Sequence, residues 1–253
     1  MAGTGPGCAS TPRPPRHHFE IETSNMRNRN PEDTPVTPNS RSEAAEPAAI
    51  SSGGADGALR SMCVYCGSGA GKNPAHAEAA RILGKALARE GVELVYGGGS
   101  LGLMGEVATS ALKFGGRVTG IIPRFLSNRE RMLDSVSELI FTDDMHQRKM
   151  EMFRRSDAFV ALPGGIGTLE ELVEQLTWSQ LGQHRKPIVI ANIDGFWSPF
   201  MSLLEHMGQE AFIRPGLEVT FNVVERAEDI LPAAQAALRV IDEEKLAEIA
   251  KRF

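Results

Sequence analysis

Only three cysteines, Cys8, Cys63 and Cys66, occur in the 253 residues, too few for the disulfide framework of a small secreted fold. No run of 18 apolar residues exists, which excludes a transmembrane helix, and the N-terminus lacks the apolar core of a secretory signal. The expected setting is therefore reducing and cytoplasmic, away from any membrane. Positive charge is also short. With 27 Lys and Arg against 32 Asp and Glu the formal net charge is −5, which argues against broad nucleic-acid binding. The six histidines fall into no H-E-x-x-H or similar spacing, so no structural metal is expected. Cys63-Val64-Tyr65-Cys66 looks like a C-x-x-C pair, but no second pair completes a zinc site. Residues three apart on a strand point to opposite faces, so these are expected to be buried structural thiols.

Residues 1–60 hold eight of the 15 prolines and few, scattered apolar side chains, the composition of a disordered extension. Arg13, Arg16, Arg27 and Arg29 suggest a transit peptide, and Glu20, Glu22, Glu32 and Asp33 count against one. From Ser61 onward, short apolar runs alternate with amphipathic stretches. Strands are predicted at Met62–Cys66, Glu93–Tyr96, Arg117–Ile122, Glu138–Phe141, Ala158–Leu162 and Pro187–Asn192, with helices between them and at about 196–209 and 227–240. A helix over Met145–Ser156 takes Asp143 or Asp144 as its cap. This alternation implies parallel βαβ units. The expected fold is α/β, a Rossmann-like doubly wound parallel sheet with helices on both faces, as a single domain over 61–240 with a helical tail at 241–253.

The glycine loops at Gly67, Gly97 and Gly164 all follow strands, so they converge on one cleft at the carboxyl ends of the sheet. Phe159 to Glu171 is the most telling stretch: a strand stops at Pro163, opens into Gly164-Gly165-Ile166-Gly167, and starts a helix with Thr168, Glu170 and Glu171. Unpaired amides at such a helix start make an anion site, and glycines let a phosphate approach the backbone. A carboxylate just beyond it suits a sugar phosphate whose reactive carbon lies beside the acid.

Plainer readings compete. Thr168 and Glu171 also fit a capping box, and Glu170 and Glu174 fit solvated helix acids. Gly97 to Gly102 satisfies G-x-G-x-x-G, the dinucleotide signature. However, it follows the second strand, and the third ends in Ile121-Ile122-Pro123 with no acid for a ribose diol. His146-Gln147-Arg148-Lys149 sets two cations near a helix start, where the macrodipole disfavours them unless they face an anion or a carboxylate.

Three motifs occur together and in order: Tyr96–Gly105 (Y-G-G-G-S-x-G-L-M-G), Met145–Lys149 (M-H-x-R-K) and Pro163–Glu171 (P-G-G-x-G-T-x-x-E). By these the chain resembles the Lonely-guy (LOG) proteins, cytokinin riboside 5′-monophosphate phosphoribohydrolases, from about Ser61 to Val240. The resemblance implies a homodimer that hydrolyses the N-glycosidic bond of an N6-modified AMP, giving free base and ribose 5-phosphate without a cofactor or metal. Carried over by position, Gly165, Ile166, Gly167 and Thr168 hold the 5′-phosphate, and Glu171 sits at the ribose with Arg148 as its catalytic partner. Glu130, Lys149 and Thr177 match further substrate contacts. The converging loops add Gly67, Ser68, Gly98, Gly99, Ser100, Met104, Gly164, Leu169 and Glu170. The label "lysine decarboxylase" often attached to such proteins finds no lysine here placed for a pyridoxal Schiff base. Two other activities stay open: a broader purine or pyrimidine monophosphate nucleosidase, and a non-catalytic carrier of the kind that holds molybdenum cofactor. The extension at 1–60 and Ser127-Asn128 ahead of Arg129-Glu130 depart from the plain family pattern.

Overall fold

Side chains on a strand alternate between two faces, and that period of two sorts this chain into two cores. In β1 (Ser61–Tyr65), Met62 and Val64 enter one core while Cys63 and Tyr65 enter the other. The computed structural model describes residues 58–127, 132–213 and 219–250. The expected disordered extension thus lies, but for its last three residues, outside the described residues, as do 251–253 of the tail.

After β1 come α1 (Pro74–Arg89), β2 (Glu93–Tyr96), α2 (Gly102–Lys113), β3 (Val118–Pro123) and a short α3 (Arg124–Ser127). Then follow β4 (Glu138–Thr142), α4 (Met145–Arg154), β5 (Ala158–Ala161), α5 (Ile166–Gln180) and β6 (Ile188–Ala191). The described chain closes with α6 (Ser198–Gln209), β7 (Asn222–Val224) and α7 (Ile230–Ala250). All seven strands are parallel, in the order β4-β3-β2-β1-β5-β6-β7. In register, Val64 lies opposite Tyr96 on one side and Val160 on the other. The chain winds outward from β1 in one direction and from β5 in the other, so the topological switch point lies between them. That is where an open α/β sheet opens a crevice.

One core packs Leu83 and Leu87 of α1, Val107 of α2 and Ile230 and Ala234 of α7 against Met62, Leu94 and Val160. The other packs Met152 and Phe153 of α4 and Leu172 and Leu176 of α5 against Cys63, Val95 and Phe159. Cys63 and Cys66 are both free and buried, in opposite cores. Helix starts follow their local chemistry. Asn73 caps α1 by accepting from the Ala75 N–H at 3.0 Å, with Pro74 at the first helical position. Asp144 rather than Asp143 caps α4, accepting from the Gln147 N–H at 2.8 Å.

Two elements differ from expectation. β7 is a three-residue edge strand whose side chains are half-exposed, so neither alternation nor a solid apolar run marks it. And α3 is a four-residue turn of helix after Pro123, too short for any periodic pattern to mark. The helical tail expected after Val240 is present as the continuation of α7 to Ala250.

Candidate active site

Backbone hydrogen bonds tie the three glycine loops to one another. The Gly67 N–H donates to the Pro163 carbonyl at 3.1 Å, while the Gly67 carbonyl accepts from the N–H groups of Leu103 at 3.0 Å and Met104 at 3.3 Å. The loops after β1, β2 and β5 therefore meet at the switch point. Gly98 and Gly102 have φ of +82° and +58°, the left-handed region that favours glycine. A side chain at Gly102 would also strike the Ser68 carbonyl, and one at Gly164 would strike Thr168.

The crevice is a cavity of about 310 Å³, within the range of small-molecule sites. Gly67 and Ser68 line it from the β1 loop, Met104 from α2 and Arg148 from α4. The first turns of α5 supply Gly165, Ile166, Gly167, Thr168, Glu170 and Glu171. The capping-box reading fails here. The N-cap is Gly165, which has no side chain to accept a hydrogen bond, and Thr168 lies inside the helix, buried. The first-turn amides are left for water or an anion, at the positive end of a 15-residue helix.

Glu171 and Arg148 face each other across this cavity, with Arg148 Nη2 3.8 Å from Glu171 Oε1 and side chains 11% and 12% exposed. Burial pushes the Glu171 carboxyl up to about 7; Arg148 and Lys149 oppose the rise, and Glu170 and Glu174 add to it. The carboxyl is thus poised to gain or lose a proton at neutral pH. The Arg148 guanidinium occupies the space that a side chain at position 97 would need, and its Nη1 lies 3.8 Å from the Met145 thioether. Its Nε is buried without a protein acceptor.

Lys149 points elsewhere. Its ammonium donates to Glu170 Oε1 and Glu174 Oε2, each at 2.7 Å, so neither acid is a merely solvated helix carboxylate. Lys149 does not line the cavity, nor do Gly98, Gly99, Ser100, Gly164, Leu169 and Thr177. Gly164 backs the loop against Thr168, Gly99 packs on Met104, and Leu169 packs against the α4/α5 core. The Thr177 hydroxyl donates to the Val173 carbonyl at 2.8 Å, about 16 Å along α5 from its start. Glu130 lies outside the described residues. Gly97 lines the cavity, as expected of its loop, and Val64, Cys66, Met145 and Met152 line it without having been expected to. For the methionines a signal existed: positions 145, 148 and 152 share one face of a helix, the face that carries Arg148. Among the described residues, no three His, Cys, Asp or Glu side chains gather to hold a metal, and no helix is long and apolar enough to cross a membrane.

The sequence profile of a family described as "Possible lysine decarboxylase" matches residues 104–234. The chain is 50% identical over 157 residues to the probable cytokinin riboside 5′-monophosphate phosphoribohydrolase LOGL2 of Oryza sativa subsp. japonica, covering 62% of this chain and 64% of that one. It is 48% identical over 176 residues to the probable cytokinin riboside 5′-monophosphate phosphoribohydrolase LOGL9 of the same plant, covering 70% of this chain and 78% of that one. Among solved structures, the Moco carrier protein of Chlamydomonas reinhardtii is similar in fold, with a TM-score of 0.54 at 24% identity over 71% of this chain and 98% of that one.

Proposed function

We propose, from the premise that the chain belongs to the LOG family, that it cleaves the N-glycosidic bond of a nucleoside 5′-monophosphate, an N6-modified AMP by preference. Free base and ribose 5-phosphate are the products. The observation that carries this reading is the placing of Glu171 one helical turn beyond the uncapped amides of α5, facing Arg148 inside the same cavity. A 5′-phosphate docked on Gly165 to Thr168 brings the ribose to the carboxylate. As the C1′–N9 bond breaks, its electron pair leaves with the base and positive charge builds on the sugar, which ionised Glu171 stabilises. A water adds at C1′ and gives its proton to Glu171; the departing base takes a proton from solvent and Glu171 returns its own to solvent, so one water is consumed per bond cleaved. Arg148 holds the carboxylate in place, and phosphate binding supplies the remote energy that positions the anomeric carbon. Among the described residues no lysine lines the cavity, so the decarboxylase label finds no amine there to act through.

The working unit is a homodimer in the cytoplasm. Helix α6 buries no residue and exposes Leu203 and Met207, next to Phe212, while Val173 of α5 and Leu181 just after it are exposed as well. Apolar faces of that kind mark an interface. The test is chromatographic detection of base released from isopentenyladenosine monophosphate, AMP and CMP by the wild type and by Glu171→Gln. The variant is expected to lose about 10²- to 10³-fold in kcat while still binding phosphate. Unchanged turnover by it would remove Glu171 from the reaction.

A further inference from the structure

The family resemblance makes Lys149 a substrate contact, yet its ammonium is already held by two carboxylates of the neighbouring helix. It forks between Glu170 and Glu174, one turn apart on α5, with both contacts at 2.7 Å. Lys149 and Glu174 are mostly buried, at 17% and 19% side-chain exposure, so this is no loose surface pair. The residues that carry chemistry are the immediate neighbours of the fork: Arg148 precedes Lys149 on α4, and Glu171 follows Glu170 on α5. Between those two the separation is longer, 3.8 Å, and the Arg148 Nε has no acceptor, so this pair alone fixes little. We propose that Lys149, Glu170 and Glu174 form a positioning clamp that locks α4 against α5 so that Arg148 faces Glu171, with Lys149 acting through these carboxylates and not on the substrate. Nothing else assigns Glu174 a part in the site.

The clamp also acts electrostatically. The charged groups bearing on Glu171 are Arg148 and Lys149 from α4 and Glu170 and Glu174 from its own helix. Cys63, Tyr65 and Cys66, from β1 and the loop after it, are held neutral by burial. Lys149 therefore offsets two acids that would otherwise drive the Glu171 proton still harder to stay. Removing the lysine and removing one acid should move that proton in opposite directions.

The experiment compares wild type, Lys149→Met, Lys149→Arg, Glu170→Gln and Glu174→Gln by kcat and KM for isopentenyladenosine monophosphate across pH 5 to 9. It also follows thermal unfolding of the same proteins over that range without substrate. Expected for Lys149→Met are a kcat loss of about tenfold or more with KM changed less than about threefold, and an acid limb of kcat/KM moved up by about half a pH unit or more. Lys149→Arg recovers most of the loss, and Glu170→Gln and Glu174→Gln move the limb down. A Lys149→Met variant whose KM rises steeply while its limb stays in place would overturn the clamp and make Lys149 a substrate ligand. The proposal rests on the hydrolase reading, but the two can fail separately. If the wild type releases no base, the hydrolase reading falls. The clamp is then judged by the unfolding profiles, where each variant should shift the pH of the Glu171-dependent step in the direction given, and an unmoved step overturns it.

Discussion

Replacing Glu171 by Gln should change how stability depends on pH, in a direction that can be worked out in advance. An ordinary glutamate titrates at about 4.5, and burial moves Glu171 up to about 7. Between those values the folded chain keeps a proton that the unfolded chain releases, so stability falls as pH rises through the window. At about 1.4 kcal/mol per pH unit the loss comes to about 3 kcal/mol. A second buried group works the other way. His184 sits between α5 and β6, its Nδ1 accepting from the Lys186 N–H at 3.1 Å and its Nε2 lying 3.2 Å from the Gln175 carbonyl. Those partners suit the neutral ring protonated on Nε2, and burial lowers the imidazole from 6.5 to about 4. Between those values the unfolded chain takes up a proton that the folded one refuses, so stability rises by a similar amount as pH climbs. In the wild type the two trends nearly cancel from about pH 4.5 to 6.5. Glu171→Gln removes one and exposes the other. The melting temperature of the variant minus that of the wild type should climb by about 6 to 12 °C between pH 4.5 and 8 for a domain of this size. Circular dichroism melts at constant ionic strength measure it. A difference that stays flat, or falls with pH, refutes the assigned burial of this carboxyl.

Two further outcomes follow from the same geometry. Because the carboxylate must be ionised to stabilise the sugar cation, kcat/KM for the wild type should rise with pH and level off above about 7, as read from initial rates of base release. Gly97→Ala keeps an allowed backbone, but its methyl would collide with the Arg148 guanidinium. Activity should drop about tenfold or more with little change in melting temperature, and a fully active variant would show that Arg148 has room to spare.

The parts of the molecule that could be read from the sequence are those set by short-range rules. Phe159-Val160-Ala161 reads as a buried strand because its neighbours on both sides are strands. Pro163 and the glycines after it end that strand and expose amides, so the phosphate loop is written in consecutive residues. What the sequence hides depends on how α4 is turned relative to α5. Lys149 and Glu174 are 25 residues apart in the chain, and their 2.7 Å contact exists only after both helices pack on the same face of the sheet. Met145 and Met152 share a helix face with Arg148 in the sequence, but that this face meets the cavity follows only from the packing of α4. The capping-box reading of Thr168 and Glu171 failed because the N-cap is Gly165, three residues before Thr168, a shift that no side-chain pattern records. That shift places Glu171 a full turn deeper than a cap residue would lie, buried against Arg148 and away from solvent. The misreading and the chemistry thus have one origin: a helix that starts on bare glycine leaves its amides to an anion and carries Glu171 inward to face the sugar.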